Sequence, residues 1–463
     1  MDAILRLVEI LNQYLWNSLL LVALVGTGVY FTIRLGFVQV RKLGQGLKFT
    51  LGGLTLRGEK ADHQGMSSFQ ALATAVAGQV GTGTIAGAAT AIVSGGPGAV
   101  FWMWVSAFFG MATNYAEAVL AQKYRTTDEN GKAVGGPAYY IRAAFPNRFG
   151  KVLAGFFSAA LILALGFMGN TVQSNSISDA MYNAFGVPKI VVGVAVALVA
   201  GFIFLGGVQR IVSVTEKLVP VMALLYIGGS LIVLACNWRS LPGVIASIFV
   251  AAFDPAAVLG GAAGITVQKA MRFGVARGLF ANEAGMGSTP HAHALAKVEK
   301  PQDQGITAMI GVFLTTFVIL TLTALVILST GAAASGLTGA ALSQYAFATV
   351  FGKAGNVFIA LCMLFFAFST IVGWYLFGQM NVKVLLGERA VKPYALLLVM
   401  FIAVGACLKV QLVWDAADLF NGLMVLPNLL ALLALSKLVV NLERACRADE
   451  ETTGKPAASA CGE

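Results

Sequence analysis

Uncharged apolar runs of about twenty residues recur along the whole chain, and that is the length an α-helix needs to cross the hydrocarbon of a bilayer. Of the 463 residues, 58% are hydrophobic and only 11% charged, and the mean hydropathy is +0.80. Soluble proteins carry about a quarter charged residues, so a water-soluble globule is excluded and an all-α membrane protein is expected. The polar remainder belongs to loops, a tail or a buried site.

Charge and Gly/Pro punctuation divide the sequence into eleven spans: 14–34, 66–94, 98–122, 152–176, 188–207, 214–236, 243–270, 305–330, 355–382, 392–409 and 413–440. The first is too long for a signal-peptide core and lacks a small-residue cleavage site, so it reads as a true transmembrane helix. An external N-terminus leaves roughly 26 of the 31 basic residues on the cytoplasmic side, as retention of Lys and Arg during insertion requires. That group includes Arg41, Lys42, Lys123, Arg125, Lys269, Arg272, Arg277, Lys297 and Lys300; Arg6, Lys189, Arg239, Lys353 and Lys409 fall outside. The net charge of +10 then reports orientation, and a nucleic-acid partner is unnecessary. The predicted location is a bacterial-type inner membrane, with lipid around the chain and no obligate protein partner. The five cysteines have no metal-like spacing and imply neither a disulfide framework nor a zinc site.

Two spans are poor continuous helices. Span 66–94 is too long for one straight crossing and contains Gly78-Gln79-Val80-Gly81-Thr82-Gly83; span 243–270 contains Asp254-Pro255 and Gly260-Gly261-Ala262-Ala263-Gly264. Each helical Gly costs about 1 kcal/mol relative to Ala. The two predicted breaks each open a block of five spans. The chain is therefore divided into an N-terminal helix with a basic amphipathic connector (1–65), two halves (66–240 and 241–440) and a cytoplasmic tail (441–463) that reads as disordered. Broken helices at matching places in two halves point to an inverted repeat with a binding site near the midplane. Glycines that only allow close helix packing are the competing reading, and it suits Gly87, Gly95 and Gly110.

A break leaves backbone groups that lipid cannot satisfy and a ligand can. The half-helix starting near Thr84 presents N–H groups and a positive dipole end, suited to a carboxylate; the half ending near Val80 presents carbonyls, suited to Na⁺ or an ammonium. Thr82 and Thr84 add hydroxyls. In the ninth span Ser369-Thr370 interrupts an apolar run. These hydroxyls either ligate a cation opposite the break or bond the carbonyl one turn back. Asn170 and Gln173 head a polar cluster that also holds Ser174 and Asn175; the cluster lines the site or forms the watery end of its helix.

Ionisable residues inside the spans are scarce, which favours a Na⁺-driven site for a zwitterion over a proton pump. Glu117 is expected to pair with Lys123 and Arg125, and Asp415 and Asp418 to complement a helix start. His63, His291 and His293 all fall in predicted connections, the last two on a solvated loop helix, so no enzyme is expected. A channel needs a continuous polar path, and a sensor an appended soluble domain; the sequence supplies neither.

Four motifs then resemble the alanine or glycine:cation symporter family: Gly81-Thr82-Gly83-Thr84-Ile85-Ala86-Gly87, Gly95-Gly96-Pro97-Gly98-Ala99, Gly110-Met111-Ala112-Thr113-Asn114-Tyr115 with Glu117, and Asn282-Glu283-Ala284-Gly285-Met286-Gly287-Ser288. The resemblance implies a leucine-transporter-type 5+5 inverted repeat after one extra helix, and Na⁺-coupled uptake of alanine or glycine. It implies that backbone at Ala77 and Val80 with the hydroxyls of Ser369 and Thr370 holds Na⁺. Backbone at Thr82 and Gly83 would hold the substrate carboxylate, carbonyls near Gly260 and Gly261 its ammonium, and Trp374 would wall the pocket. The family usually has Asn where this chain has Thr84; a single Na⁺ per substrate is expected. The Asn282–Lys300 stretch is expected on the cytoplasmic side, as a gate or a rigid packing helix.

Overall fold

The computed structural model describes residues 8, 10–52, 65–129, 131–259, 265–408 and 410–453. Helices α1 (Leu20–Arg34), α2 (Ser68–Gln79), α3 (Ala88–Gly95), α4 (Gly98–Lys123), α5 (Arg148–Leu161), α6 (Asn170–Phe185), α7 (Lys189–Phe204) and α8 (Gly207–Cys236) form the first part of the chain. They are followed by α9 (Leu241–Phe253), α10 (Val267–Asn282), α11 (Pro301–Val312), α12 (Thr321–Ser329), α13 (Lys353–Leu386), α14 (Val391–Gly405), α15 (Val410–Ala434) and α16 (Ser436–Thr453). Two π-helical stretches, Ile162–Gly169 and Phe313–Leu320, join α5 to α6 and α11 to α12 without interrupting either rod.

Among the described residues, five continuous helices are long and apolar enough to cross a membrane alone: Arg148–Phe185, Gly207–Cys236, Pro301–Ser329, Lys353–Leu386 and Trp414–Ala434. Ser68–Gln79 and Gly83–Gly95 qualify as one span bent by 49°. The start of α2 is fixed by a capping box: Ser67 accepts from the Gln70 amide while the Gln70 side chain accepts from Ser67. Its end is fixed by Val80, whose ψ of 76° leaves the helical region. Gly81 is required at the bend, because a Cβ there would lie 2.4 Å from Thr370 Oγ1 and 2.9 Å from Gln173 Oε1.

The predicted seventh span, 243–270, is not one helix. Helix α9 ends at Phe253, where Trp102 donates to the Ala252 carbonyl and Gly98 lies against Ala251. Its Gly260–Gly264 run lies outside the described residues, and α10 follows, capped by the Thr266 hydroxyl. Helix α10 and the chain after it then accompany α4 along its length. Gly274 packs on Ala99, Gly278 on Met103 and Ala284 on Gly110, and Gln122 donates to the carbonyls of His293 (2.5 Å) and Ala296 (2.9 Å). The 26 residues of α4 make a rod of about 39 Å, so residues 270–296 traverse the molecule where a surface connection was expected. Three charges misled the sequence reading. Lys269, Arg272 and Arg277 look like a loop, but they sit on α10, towards the Gly98 end of α4 and away from the Lys123 end.

Asp418 is likewise not a dipole partner at a helix start: it lies eight residues into α15 and binds Arg277. The C-terminal segment expected to be disordered contains helix α16, which runs to Thr453 and whose Glu443 meets Tyr115, Arg41 and Lys42.

Candidate functional site

The bend after α2 is packed against α13 and α6. Thr370 donates to the carbonyl of Ala77 at 2.8 Å and to Phe366 at 3.1 Å; Ser369 donates to Phe366 at 2.8 Å and lies 3.5 Å from both the Ala77 carbonyl and Met222 Sδ. Both hydroxyls thus bond the preceding turn, as mid-helix hydroxyls do, and both also reach Ala77 on the broken helix. Ala77, Ser369 and Thr370 are completely buried and Val80 is 2% exposed. An all-oxygen cluster of this kind is what a hard cation selects.

One turn on, the Thr82 amide donates to Gln173 Oε1 at 3.1 Å. The Gln173 Nε2, Asn170 Oδ1 and Thr82 Oγ1 atoms are buried with no hydrogen-bond partner. Three unpartnered polar atoms around one bend are a ligand-sized deficit, because each buried orphan costs about 1–3 kcal/mol. Thr84 behaves differently: its hydroxyl returns to the Gly81 carbonyl at 2.9 Å and braces the bend. Asn170 also donates to Gly166 at 3.0 Å. The polar cluster on α6 is buried throughout, not a watery helix end; Ser174 and Asn175 bind carbonyls at the end of α14 and hold the two helices together.

A second irregular stretch faces this bend, and it is Asn282–Thr289. Glu283 takes φ 56°, Gly285 φ 83° and Gly287 φ 79°, a left-handed path that ends α10. Gln79 donates to the Asn282 carbonyl at 2.7 Å, and Gly83 approaches Phe280 and Ala281 so closely that a Cβ would lie 2.9 Å from the Phe280 ring. The C-terminal, carbonyl end of α10 therefore meets the N-terminal, amide end of the Gly83–Gly87 turn that continues into α3. Opposite partial charges face each other across one small volume. Gly260 and Gly261, the expected ammonium ligands, lie outside the described residues.

Trp374 closes the side of this volume. Its ring packs edge-on against Phe280 and close over Gly169 and Gly78, and its Nε1 donates to Glu283 Oε1 at 2.5 Å. Ser288 donates to the other Glu283 oxygen at 2.5 Å. Glu117 is not an ion-pair partner for Lys123 or Arg125. It accepts from the amides of Gly285 (3.0 Å) and Gly287 (2.9 Å) and from Asn428 (2.6 Å), so a buried carboxylate satisfies the backbone that the second break exposes.

The reading of His291 and His293 is also corrected, whereas His63 lies outside the described residues. His291 and His293 are 2% and 1% exposed, not solvated. His291 Nδ1 donates to the Ser288 carbonyl at 2.8 Å and its Nε2 accepts from Asn381 at 2.8 Å; His293 Nδ1 accepts from Gln304 at 2.7 Å. No group of three metal-binding side chains occurs among the described residues.

Sequence reasoning missed Gln79, Phe280, Asn282 and Glu283 as neighbours of the site. The signal was present in the Gly285-x-Gly287 pair after Asn282-Glu283, which has the same break chemistry as Gly81-x-Gly83, but the nearby charges assigned it to a connection.

Two facing breaks within a helical bundle define a class, the secondary transporter with discontinuous helices. The fold is shared with solved structures of that class. A Na⁺-coupled sialic acid symporter in a substrate-bound outward-open state aligns with TM-score 0.56 at 14% identity, covering 91% of this chain and 86% of that one. A manganese transporter of Eremococcus coleocola aligns with TM-score 0.51 at 14% identity, covering 82% and 78%.

The model of the sodium:alanine symporter family matches residues 1–459, and the chain belongs to that family, a family of cation-coupled amino-acid symporters. It is 41% identical over 443 residues to a sodium/alanine symporter of Methanococcus maripaludis, covering 95% of this chain and 96% of that protein. It is also 41% identical over 436 residues to a Bacillus subtilis protein named as a probable sodium/glutamine symporter, covering 94% and 89%. The protein is a multi-pass membrane protein.

Proposed function

We propose that the protein couples inward Na⁺ movement to uptake of a small neutral amino acid, alanine or glycine, by alternating access. The observation that carries this reading is the meeting of the two breaks. The amide end at Thr82–Thr84 takes the substrate carboxylate, with Gln173 and Asn170 beside it; the carbonyl end of α10 at Phe280–Asn282 takes the ammonium. Na⁺ sits between the carbonyls of Ala77 and Val80 and the hydroxyls of Ser369 and Thr370. Phe280, Trp374 and the glycines at 81, 83 and 169 crowd this volume, which favours a methyl or a hydrogen as substrate side chain.

In this reading the chain makes eleven crossings: α1, then two five-span inverted halves, each opened by a broken span, Ser68–Gly95 and the run from α10 through the Asn282–Thr289 stretch to Ala296. Basic residues at the Lys123 end of α4, with Arg41, Lys42, Lys297 and Lys300, mark that end as cytoplasmic and leave the N-terminus outside.

The test is uptake of radiolabelled alanine into proteoliposomes with and without an inward Na⁺ gradient, with unlabelled glycine and glutamine as competitors. Accumulation above equilibrium only with Na⁺, suppressed by glycine and not by glutamine, is the expected result. Suppression by glutamine at the same concentration reassigns the substrate to the larger amide. Absence of any Na⁺-driven accumulation of the three sinks the proposal.

A further inference from the structure

Beyond the two breaks, a cavity of about 290 Å³ opens at the Lys123 end of the bundle. Its floor is α13, which presents Leu376, Gln379, Met380 and Lys383, spaced three and four apart as one helical stripe. That stripe is the continuation of the one carrying Ser369: fourteen residues are about four turns, or 21 Å of rise. Its walls are the start of α2 at Gly65-Met66, the hairpin that pairs Thr126–Thr127 with Ala133–Val134, and Gly206–Gln209 at the start of α8. The cavity therefore lies along the helix face that leads away from the candidate site towards one surface.

Met66 donates to Leu295 at 2.9 Å and accepts from Lys297 at 2.8 Å, a single bridge that fastens the start of the broken helix to the end of the second break. The bridge ties this wall of the cavity to both broken segments.

The lining has the chemistry of a site. It contains two ammonium groups, Lys132 and Lys383, and two carboxylates, Asp128 and Glu388, a balance that suits a zwitterion better than a lone anion or cation. Lys383 binds Glu388 at 2.8 Å near the rim, with side chains 19% and 56% exposed. Deeper in, Gln379 is 6% exposed and its Oε1 is buried with no hydrogen-bond partner. A buried orphan acceptor one helical turn from an ammonium whose rim partner is half exposed offers contacts for an amine and a carboxylate on one carbon, the carboxylate exchanging with Glu388.

We propose that this cavity is a second amino-acid site on the release side of the breaks, which takes the same zwitterion with its ammonium on Gln379 Oε1 and its carboxylate on Lys383. The proposal rests on the transport reading above. The second site keeps both charges of the substrate partnered after it leaves the breaks and needs no Na⁺, because none of the Na⁺ ligands proposed above lies in it.

Equilibrium binding of radiolabelled alanine to the purified full-length protein in nanodiscs, in NaCl and in choline chloride, tests this. Wild type is expected to show a tight Na⁺-dependent component and a weaker Na⁺-independent one, two alanines per protein in all. Gln379→Leu, which keeps the volume and removes the acceptor, is expected to weaken the Na⁺-independent component at least tenfold and to leave the other unchanged. Ala133→Trp fills the cavity from the hairpin and leaves the sequence of α13 unchanged; it is expected to do the same, which guards against a folding defect in the first variant. Wild type with no Na⁺-independent component overturns the proposal, as does a component that survives both substitutions. Loss of only the Na⁺-dependent component in wild type counts against the transport reading instead.

Discussion

The guanidinium of Arg277 on α10 grips the carboxylate of Asp418 on α15 through two hydrogen bonds of 3.1 and 2.9 Å. Its charge also lies 4.9 Å above the Trp414 ring, which in turn packs on Phe280. The ion pair, Trp414 and Phe280 form a stack that covers the meeting point of the breaks from the Gly98 end of α4. In the alternating-access reading this stack is the closed door on that side. Removing one partner of a largely buried pair costs about 3 kcal/mol, so Asp418→Asn is expected to depopulate the closed state. Na⁺-driven uptake should fall at least tenfold, and the exchange Arg277→Asp with Asp418→Arg should recover part of it; uptake in Asp418→Asn equal to wild type would show that the pair does not close the path.

The cation site predicts a hydroxyl requirement. Thr370→Ser keeps the oxygen that reaches Ala77, whereas Thr370→Val removes it and keeps the shape. A hydrogen-bonding oxygen to a charged group contributes about 1.5–3 kcal/mol, so the Na⁺ concentration for half-maximal uptake should rise more than tenfold in Thr370→Val and less than threefold in Thr370→Ser. Equal Na⁺ dependence in both would leave the hydroxyl with its helix-bonding role alone.

Gly81→Ala is a test of the bend itself. The added methyl would lie 2.4 Å from Thr370 Oγ1 and 2.9 Å from Gln173 Oε1, and overpacking of this kind costs about 1–3 kcal/mol. The variant should reach the membrane in normal amount and lose most of its uptake. Full activity would mean that the bend and α13 separate more easily than their contact implies.

Glu283 and Trp374 should behave as a unit. Glu283→Leu and Trp374→Phe each remove the same hydrogen bond, so the double variant is expected to lose little more uptake than the worse single one. Multiplicative losses would place the two side chains in separate roles.

Glu117 is expected to act on stability. Glu117→Ala strips the acceptor from two buried amides and from Asn428, and buried donors left unpaired cost about 1–3 kcal/mol each. The melting temperature of the detergent-solubilised protein should drop by several degrees; Glu117→Gln, which still accepts, should recover part of the loss.

The sequence by itself determined the membrane class, most of the helices and the first break. Helix periodicity, lipid-length apolar runs and the Gly78–Gly83 cluster are local properties, and local physics decides them. The resemblance of four motifs to one family was equally readable, and the family match bears it out. Where the second break falls was decided only by tertiary structure. Lys269, Arg272 and Arg277 made the chain beyond residue 270 look like a surface loop, because a linear reading prices each charge as if it faced lipid or water alone. In the folded chain Asp418, contributed from 141 residues away, pairs with Arg277, and Glu117 on α4 satisfies the amides of Gly285 and Gly287. The same reason hid the histidines and the role of Glu117: a buried polar group is tolerated according to its partner, and the partner is named by the fold, not by the neighbouring sequence.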